Sequence, residues 1–150
     1  MGTGPGTQAV QLAQMGFDVT GTDLSQTAIE QARNLSDQAK FIQDDILNSK
    51  INDTFDFVFD RGCFHTLDPR SHVTYVKTMS KLLNSGGLLF LKTFSTQQQG
   101  DWGPHRFDED SLRAIFDKSF EVQNSLHTVY QGTLDEQPKA LFTVLRKVNS

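Results

Sequence analysis

The stretch Gly2-Thr3-Gly4-Pro5-Gly6-Thr7, taken with Gly21-Thr22-Asp23-Leu24 further along, decides how this chain folds. Glycines at alternate positions let a backbone turn sharply and approach a ligand where a Cβ would collide. Behind them, Val10, Leu12 and Ala13 form a short apolar helical face that stops at Gly16, a helix C-cap residue. Residues 17–22 then read as a strand that delivers Asp23 to its tip. A glycine loop, a helix, a strand and an acid about 20 residues beyond the loop form the spacing of a βαβ nucleotide site, where the carboxylate accepts from both ribose hydroxyls.

The rest of the chain repeats the alternation. Ser25 caps a helix with Ala28, Ile29, Ala32 and Leu35 on one side, and Phe41 and Ile42 begin a second short strand. Residues 55–59, Phe-Asp-Phe-Val-Phe, are dense enough in strand formers for a buried strand. Pro69 opens a helix whose Val73, Val76, Met79 and Leu82/Leu83 face inward, ended by Gly86-Gly87. Residues 88–91 make another apolar strand, and Asp108 caps a helix burying Leu112, Ile115 and Phe116. Residues 121–130 and 140–147, joined through Gly132 and Pro138, pair antiparallel. The expected class is α/β: a doubly wound, mostly parallel sheet covered on both faces, with an antiparallel hairpin at its C-terminal edge.

A length of 150 residues suits one compact domain and leaves no room for a separate catalytic domain, so 1–150 reads as a single domain. The net charge of -4 repels polynucleotides and argues against a nucleic-acid partner. No run of residues reaches bilayer length, and the lone Cys63 has no internal disulfide partner, so the expectation is a cytoplasmic protein away from membranes. No cluster of His, Cys, Asp and Glu has metal-ligand spacing, so no metal is expected. The oligomeric state, monomer or homodimer, is left open by the sequence.

Dehydrogenases hold a pyrophosphate with G-x-G-x-x-G/A. Here the glycines run G-x-G-x-G, Thr7 takes the last place, and Pro5 removes one amide that could face a phosphate. The loop therefore points away from a dinucleotide. A nicotinamide-dependent oxidoreductase remains the enzymatic alternative, and a non-catalytic fragment or interaction module the alternative of another kind.

Taken in order, GTGPGTQAVQLAQMGFDVTGTDLS, FIQDDI, FDFVFDRGCFHTL and LLNSGGLLFLKTFS resemble the class I S-adenosylmethionine-dependent methyltransferases over nearly the whole chain. The segment GPHRFDEDSLRAIFDKSFEV looks like members that methylate small molecules, the thiopurine and tellurite-resistance methyltransferases among them. The resemblance implies a Rossmann-like fold and S-adenosyl-L-methionine as cofactor, with a methyl group passing to a small-molecule acceptor by direct displacement. It puts Gly2, Thr3, Gly4 and Gly6 under the methionine part of the cofactor, Asp23 on the ribose and Leu24 beside the adenine. Asp45 and Ile46 would meet the adenine edge, with Asp44 the neighbouring candidate.

In the same family, the segment after the third strand lines the sulfonium and the acceptor. That places Asp60 and Arg61 near the cofactor, Phe64 and His65 near the substrate, and makes Asp60 and His65 the candidate catalytic pair, His65 as an optional base. Trp102, His105 and Arg106 fall in a loop able to cover the acceptor. Cys63 reads as pocket wall, since direct displacement needs no covalent enzyme intermediate. The family pattern starts with an apolar strand ending in an acid just before the first glycine. Met1 stands where that strand should have finished, so the first strand is expected to be missing, with an upstream start as the preferred explanation.

Overall fold

A computed structural model describes residues 1–132 and 134–148, and the chain divides into two compact units, Met1–Ile51 and Asn52–Ser150.

The first unit runs α1 (Thr7–Gln14), β1 (Thr20–Asp23), α2 (Gln26–Leu35), β2 (Lys40–Gln43). The strands pair in parallel from Thr20↔Lys40 to Asp23↔Gln43. β1 starts later than the sequence suggests, because residues 15–17 are used in closing α1: their amides return to the carbonyls of Gln11, Leu12 and Ala13. Phe17 is accordingly half exposed. Ser25 Oγ accepts the Ala28 amide at 3.2 Å, as an N-cap should. The core of this unit is Ala9, Ile29, Ala32, Ala39 and Phe41, flanked by Val10, Ala13 and Val19. Full burial of Ile29 and Phe41 stabilises it by roughly 1.5–3 kcal/mol each. Leu35, expected inside, is exposed at the last turn of α2.

The second unit contains β3 (Phe55–Asp60), 3-10 turns at Phe64–Thr66 and Pro69–Ser71, α3 (His72–Leu82) and β4 (Leu83–Ser95). It continues with β5 (Arg106–Phe107), α4 (Glu109–Phe116), β6 (Phe120–Val129) and β7 (Lys139–Lys147). The strand order is β3-β4-β7-β6, with β5 added to β4. β3 and β5 run parallel to β4, while β7 runs antiparallel to both β4 and β6, so the expected hairpin is the C-terminal edge of the sheet.

Three local expectations are corrected here. α3 ends at Leu82 rather than at Gly86-Gly87: Leu83 already pairs with Phe55, and a register irregularity absorbs the residues before Leu88. A Cβ on Gly87 would lie 2.9 Å from the Asn84 carbonyl oxygen and 3.0 Å from that of Asp56, so this crossing needs glycine. Val73 points outward, because His72, Tyr75, Val76 and Met79 take the i, i+3, i+4, i+7 face. β3 is not buried on both faces: Val58 and Asp60 are buried, while Phe57 and Phe59 are 45% and 40% exposed.

The alternation continues across the sheet. Val58, Leu89, Leu91, Thr93, Leu141, Thr143 and Leu145 fill the buried face together with Tyr75, Val76, Met79, Leu112 and Phe116 of α3 and α4. Within this unit both helices therefore cover one face, and the other carries an aromatic row in which Phe90 stacks on Phe59 at 4.7 Å and on Phe142 at 6.2 Å. Asp108 and Ser111 close a reciprocal capping box at the start of α4. No helix among the described residues is long and apolar enough to cross a membrane.

Candidate active site

In the first unit the glycine loop turns through left-handed backbone at Gly2, Gly4 and Gly6, with φ of 56°, 55° and 88°. Gly6 is doubly constrained, since a Cβ there would lie 2.8 Å from Ala32 Cβ and 3.0 Å from the Phe41 ring. At Gly4 a Cβ would meet nothing within 4 Å, so the outer side of the loop is open. The Thr3 amide donates to the Thr22 carbonyl at 2.7 Å, which ties the loop to β1.

Asp23 fixes the other end of that arrangement. Its Oδ2 accepts the Gly4 amide at 3.0 Å and its Oδ1 the Ser25 amide at 2.9 Å. Each oxygen keeps one lone pair, which suits the two hydroxyls of a ribose. Leu24 beside it is largely exposed, with its carbonyl held by Gln43 Nε2. Asp44 has both oxygens committed to the following loop, through Ser49 Oγ and the Lys50 amide. Asp45 uses only Oδ1, capping the Ile46–Asn48 3-10 turn at the Leu47 amide, so it retains the freer carboxylate oxygen of the pair. Asp23 and Asp45 thus keep acceptor capacity for hydroxyl or amine donors of a ligand.

In the second unit Asp60 is not placed as a reacting group. It is fully buried, and its carboxylate accepts the amides of Gly62 (3.0 Å), Cys63 (2.7 Å) and Phe64 (3.0 Å) and the Tyr75 hydroxyl (2.5 Å). Four donors converge on one anion, each charge-assisted. Burial, then the charge and hydrogen bond of Asp60, push the Tyr75 phenol well above its usual range, so it stays a donor. The Asp60 carboxylate thus ties the segment after β3 to the strand end and to α3. Phe64 is corrected as well: it is fully buried among the rings of His72, Tyr75, Phe107 and Phe116, a core hub rather than a substrate contact.

His65 is buried, and its Nδ1 accepts the backbone amide of Phe94 at 2.9 Å. An imidazole that accepts at Nδ1 and is neutral carries its proton on Nε2. Burial lowers its pKa below the ordinary histidine value, against opposing contributions from Asp60 and the Gly62 backbone, and His105 lowers it further. His65 is therefore a neutral donor. It can take a proton only by giving up the Phe94 bond.

The loop residues surround the same strand end. The His105 amide donates to the His65 carbonyl at 2.9 Å, and Trp102 packs edge-on against Phe94 at 5.7 Å while half its surface stays open. Arg106 serves the loop itself: Nε donates to Gln98 O and Nη2 to Gln99 O and Trp102 O. Arg61 is exposed, and its carbonyl accepts the Tyr130 hydroxyl at 2.8 Å. The sequence reading missed Tyr75, Tyr130 and Lys92. Among the described residues no group of three or more His, Cys, Asp and Glu could hold a metal ion.

A methyltransferase-domain family model matches residues 1–87, more than half of the chain, across the glycine loop, Asp23, the Asp44-Asp45 pair and the β3–His65 segment. The chain belongs to the S-adenosylmethionine-dependent methyltransferases. It is 35% identical over 101 residues to an uncharacterized methyltransferase of Schizosaccharomyces pombe, covering 63% of this chain and 68% of that one. It is 25% identical over 138 residues to thiocyanate methyltransferase 1 of Brassica oleracea, covering 85% of this chain and 61% of the relative. Its fold matches the 1,6-didemethyltoxoflavin-N1-methyltransferase of Burkholderia thailandensis, solved with 1,6-didemethyltoxoflavin and S-adenosylhomocysteine, at a TM-score of 0.79 and 21% identity, covering 99% of this chain and 69% of that one. This methyltransferase uses S-adenosylmethionine as its cofactor, and the nicotinamide alternative falls.

Proposed function

We propose that this methyltransferase transfers the methyl group of S-adenosylmethionine to a small, soft anion of the thiolate or thiocyanate kind, without a general base. The observation that carries this reading is the state of its two candidate catalytic groups. Asp60 is buried under four donors, and His65 already accepts the Phe94 amide at the nitrogen a base would use. An acceptor that must lose a proton has no prepared partner there, whereas an anionic nucleophile needs none.

When bound, the cofactor supplies a methyl group activated on a sulfonium; the acceptor's lone pair forms the new bond to carbon as the carbon–sulfur bond breaks, leaving S-adenosylhomocysteine. The chain's own part is binding and orientation, which can be worth an effective molarity on the order of 10⁵ M or more. Gly2, Gly4, Gly6 and Thr3 form the loop for the methionine portion, Asp23 receives the ribose hydroxyls, and Leu24, Asp45 and Ile46 form the adenine wall. Arg61, His65, Trp102 and His105 belong to the acceptor side. The similarity to a thiocyanate methyltransferase supports the same acceptor class.

The test is a product assay with labelled cofactor against thiocyanate, iodide and hydrosulfide, run beside phenols and amines. Methylated anions with untouched phenols and amines are expected. Turnover of amines or phenols alone, rising with a histidine titration, would overturn the proposal. In parallel, calorimetry with S-adenosylhomocysteine should show binding that Asp23→Ala weakens at least tenfold.

A further inference from the structure

Among the described residues, Lys92 forms no ion pair within 4.0 Å. It follows Leu91, which pairs with Asp60 at the carboxyl end of β3, the end where ligands of open α/β sheets sit. Its Nζ lies 4.6 Å from the centroid of the Tyr130 ring. The ion pairs within 4.0 Å among the described residues are Arg70–Asp68 and Arg113–Glu109, and neither involves Lys92 or Arg61. The ammonium is partly buried, and its pKa is lowered first by that burial and then by the positive charge of Arg61. A partly buried ammonium on an aromatic ring, outside any ion pair within 4.0 Å among the described residues, is a place where an anion is favoured.

Tyr130 joins this cation to the acceptor-side residues. Its hydroxyl is committed to the Arg61 carbonyl, so the ring is fixed with one face toward Lys92. Its centroid lies 5.5 Å from that of Phe94 and 5.7 Å from that of His65. Phe94 in turn meets Trp102 edge-on. An ammonium beside a cluster of polarizable rings suits a small anion with a diffuse charge better than a hard, strongly hydrated one.

We propose that Lys92, seated on Tyr130 with Arg61 nearby, recognises the negative charge of the methyl acceptor and sets the preference for soft anions. This rests on the acceptor reading above, so its test reads binding separately from turnover. The probe is ¹³C-labelled thiocyanate, followed by its line width on titration with the full chain, with iodide as competitor. The wild type should broaden the line saturably, and iodide should reverse it. Lys92→Met should weaken thiocyanate binding tenfold or more, while Lys92→Arg retains most of it. Both variants should bind S-adenosylhomocysteine as the wild type does, which excludes loss of fold as the cause.

Thiocyanate binding by Lys92→Met equal to wild type would overturn the anion site, even if methyl thiocyanate is formed. Binding that depends on Lys92 with no methyl thiocyanate formed would support the anion site and overturn the acceptor reading instead.

Discussion

The backbone amide of Phe94 donates to Nδ1 of His65 across 2.9 Å, joining β4 to the 3-10 turn after β3. This one bond makes the histidine a structural acceptor on one side and a protonated nitrogen on the other. His65→Asn can present Oδ1 where Nδ1 stood, so it should fold and keep turnover of an anionic acceptor within about tenfold, whereas loss of a true base costs about 10²-fold or more. His65→Leu leaves the buried Phe94 amide without a partner and should lower stability by about 1–3 kcal/mol. Steady-state rates with thiocyanate and urea unfolding of both variants check this. A His65→Asn rate loss of 10³-fold with normal stability would restore the base.

The bond between the Tyr75 hydroxyl and Asp60 tests the other half of the argument. If Asp60 positions the segment after β3, weakening its donor set should change stability before chemistry. Tyr75→Phe removes one charge-assisted bond and should cost about 1.5–3 kcal/mol of unfolding free energy, with the KM for cofactor and acceptor rising together. Asp60→Asn sets an amide NH₂ against a ring of four donors and should be the more damaging change. Unfolding midpoints order the two variants, and an Asp60→Asn protein as stable as wild type but inactive would assign Asp60 to the chemistry.

How much of this was legible in the sequence follows from how local each signal is. Gly4, Gly6 and Asp23 lie within one βαβ spacing, and the helix and strand between them fix their approach, so they could be read directly. Ser25 and Asp108 were equally readable, because a cap bonds to amides three residues away. Asp60 ends β3 and His65 lies in the turn after it, but what each does depends on partners the sequence does not align with them. Tyr75 is 15 residues from Asp60, Phe94 is 29 from His65, and Tyr130 is 69 from Arg61. Val73 and Val76 look equally apolar, and only packing of α3 on the sheet shows that the buried face runs through His72, Tyr75, Val76 and Met79. Phe64 looked like a pocket aromatic because of its neighbours in sequence, while its neighbours in space are four other rings.

Two buried histidines set a pH dependence of stability. His65 and His72 both have pKa values lowered from 6.5, chiefly by burial, and His72 Nε2 has no hydrogen-bond partner. Above pH 6.5 both the folded and unfolded chains hold them neutral, and their contribution is complete. As pH falls below 6.5 the unfolded chain binds protons first, so stability declines until the folded values are reached. Urea midpoints should drop from pH 7.5 to 5.5, and the double variant His65→Asn, His72→Phe should flatten that slope. His72→Phe alone, which removes an unpartnered polar atom among Phe64 and Phe107, should leave stability at pH 7.5 unchanged or higher. A wild-type slope that survives the double variant would place the titrating group elsewhere.

Gly4 and Gly6 separate the loop's conformational demand from its steric one. Both need left-handed backbone, which costs an L-residue roughly 1–2 kcal/mol. Only Gly6 also lacks space, with Ala32 Cβ and the Phe41 ring in the way of any side chain. Ala32 and Phe41 are core residues of a small apolar cluster, so they cannot move aside without opening it. Gly6→Ala should therefore unfold or grossly destabilise the first unit. Gly4→Ala should fold with a loss of about 1–2 kcal/mol, because its Cβ enters open space and its amide still reaches Asp23. The open space beside Gly4 is where the cofactor's methionine portion is proposed to lie, so the same methyl group should weaken S-adenosylhomocysteine binding at least tenfold. Circular dichroism melts and calorimetry on the two variants separate these effects. A folded Gly4→Ala that binds the ligand as wild type would move the methionine portion away from this loop.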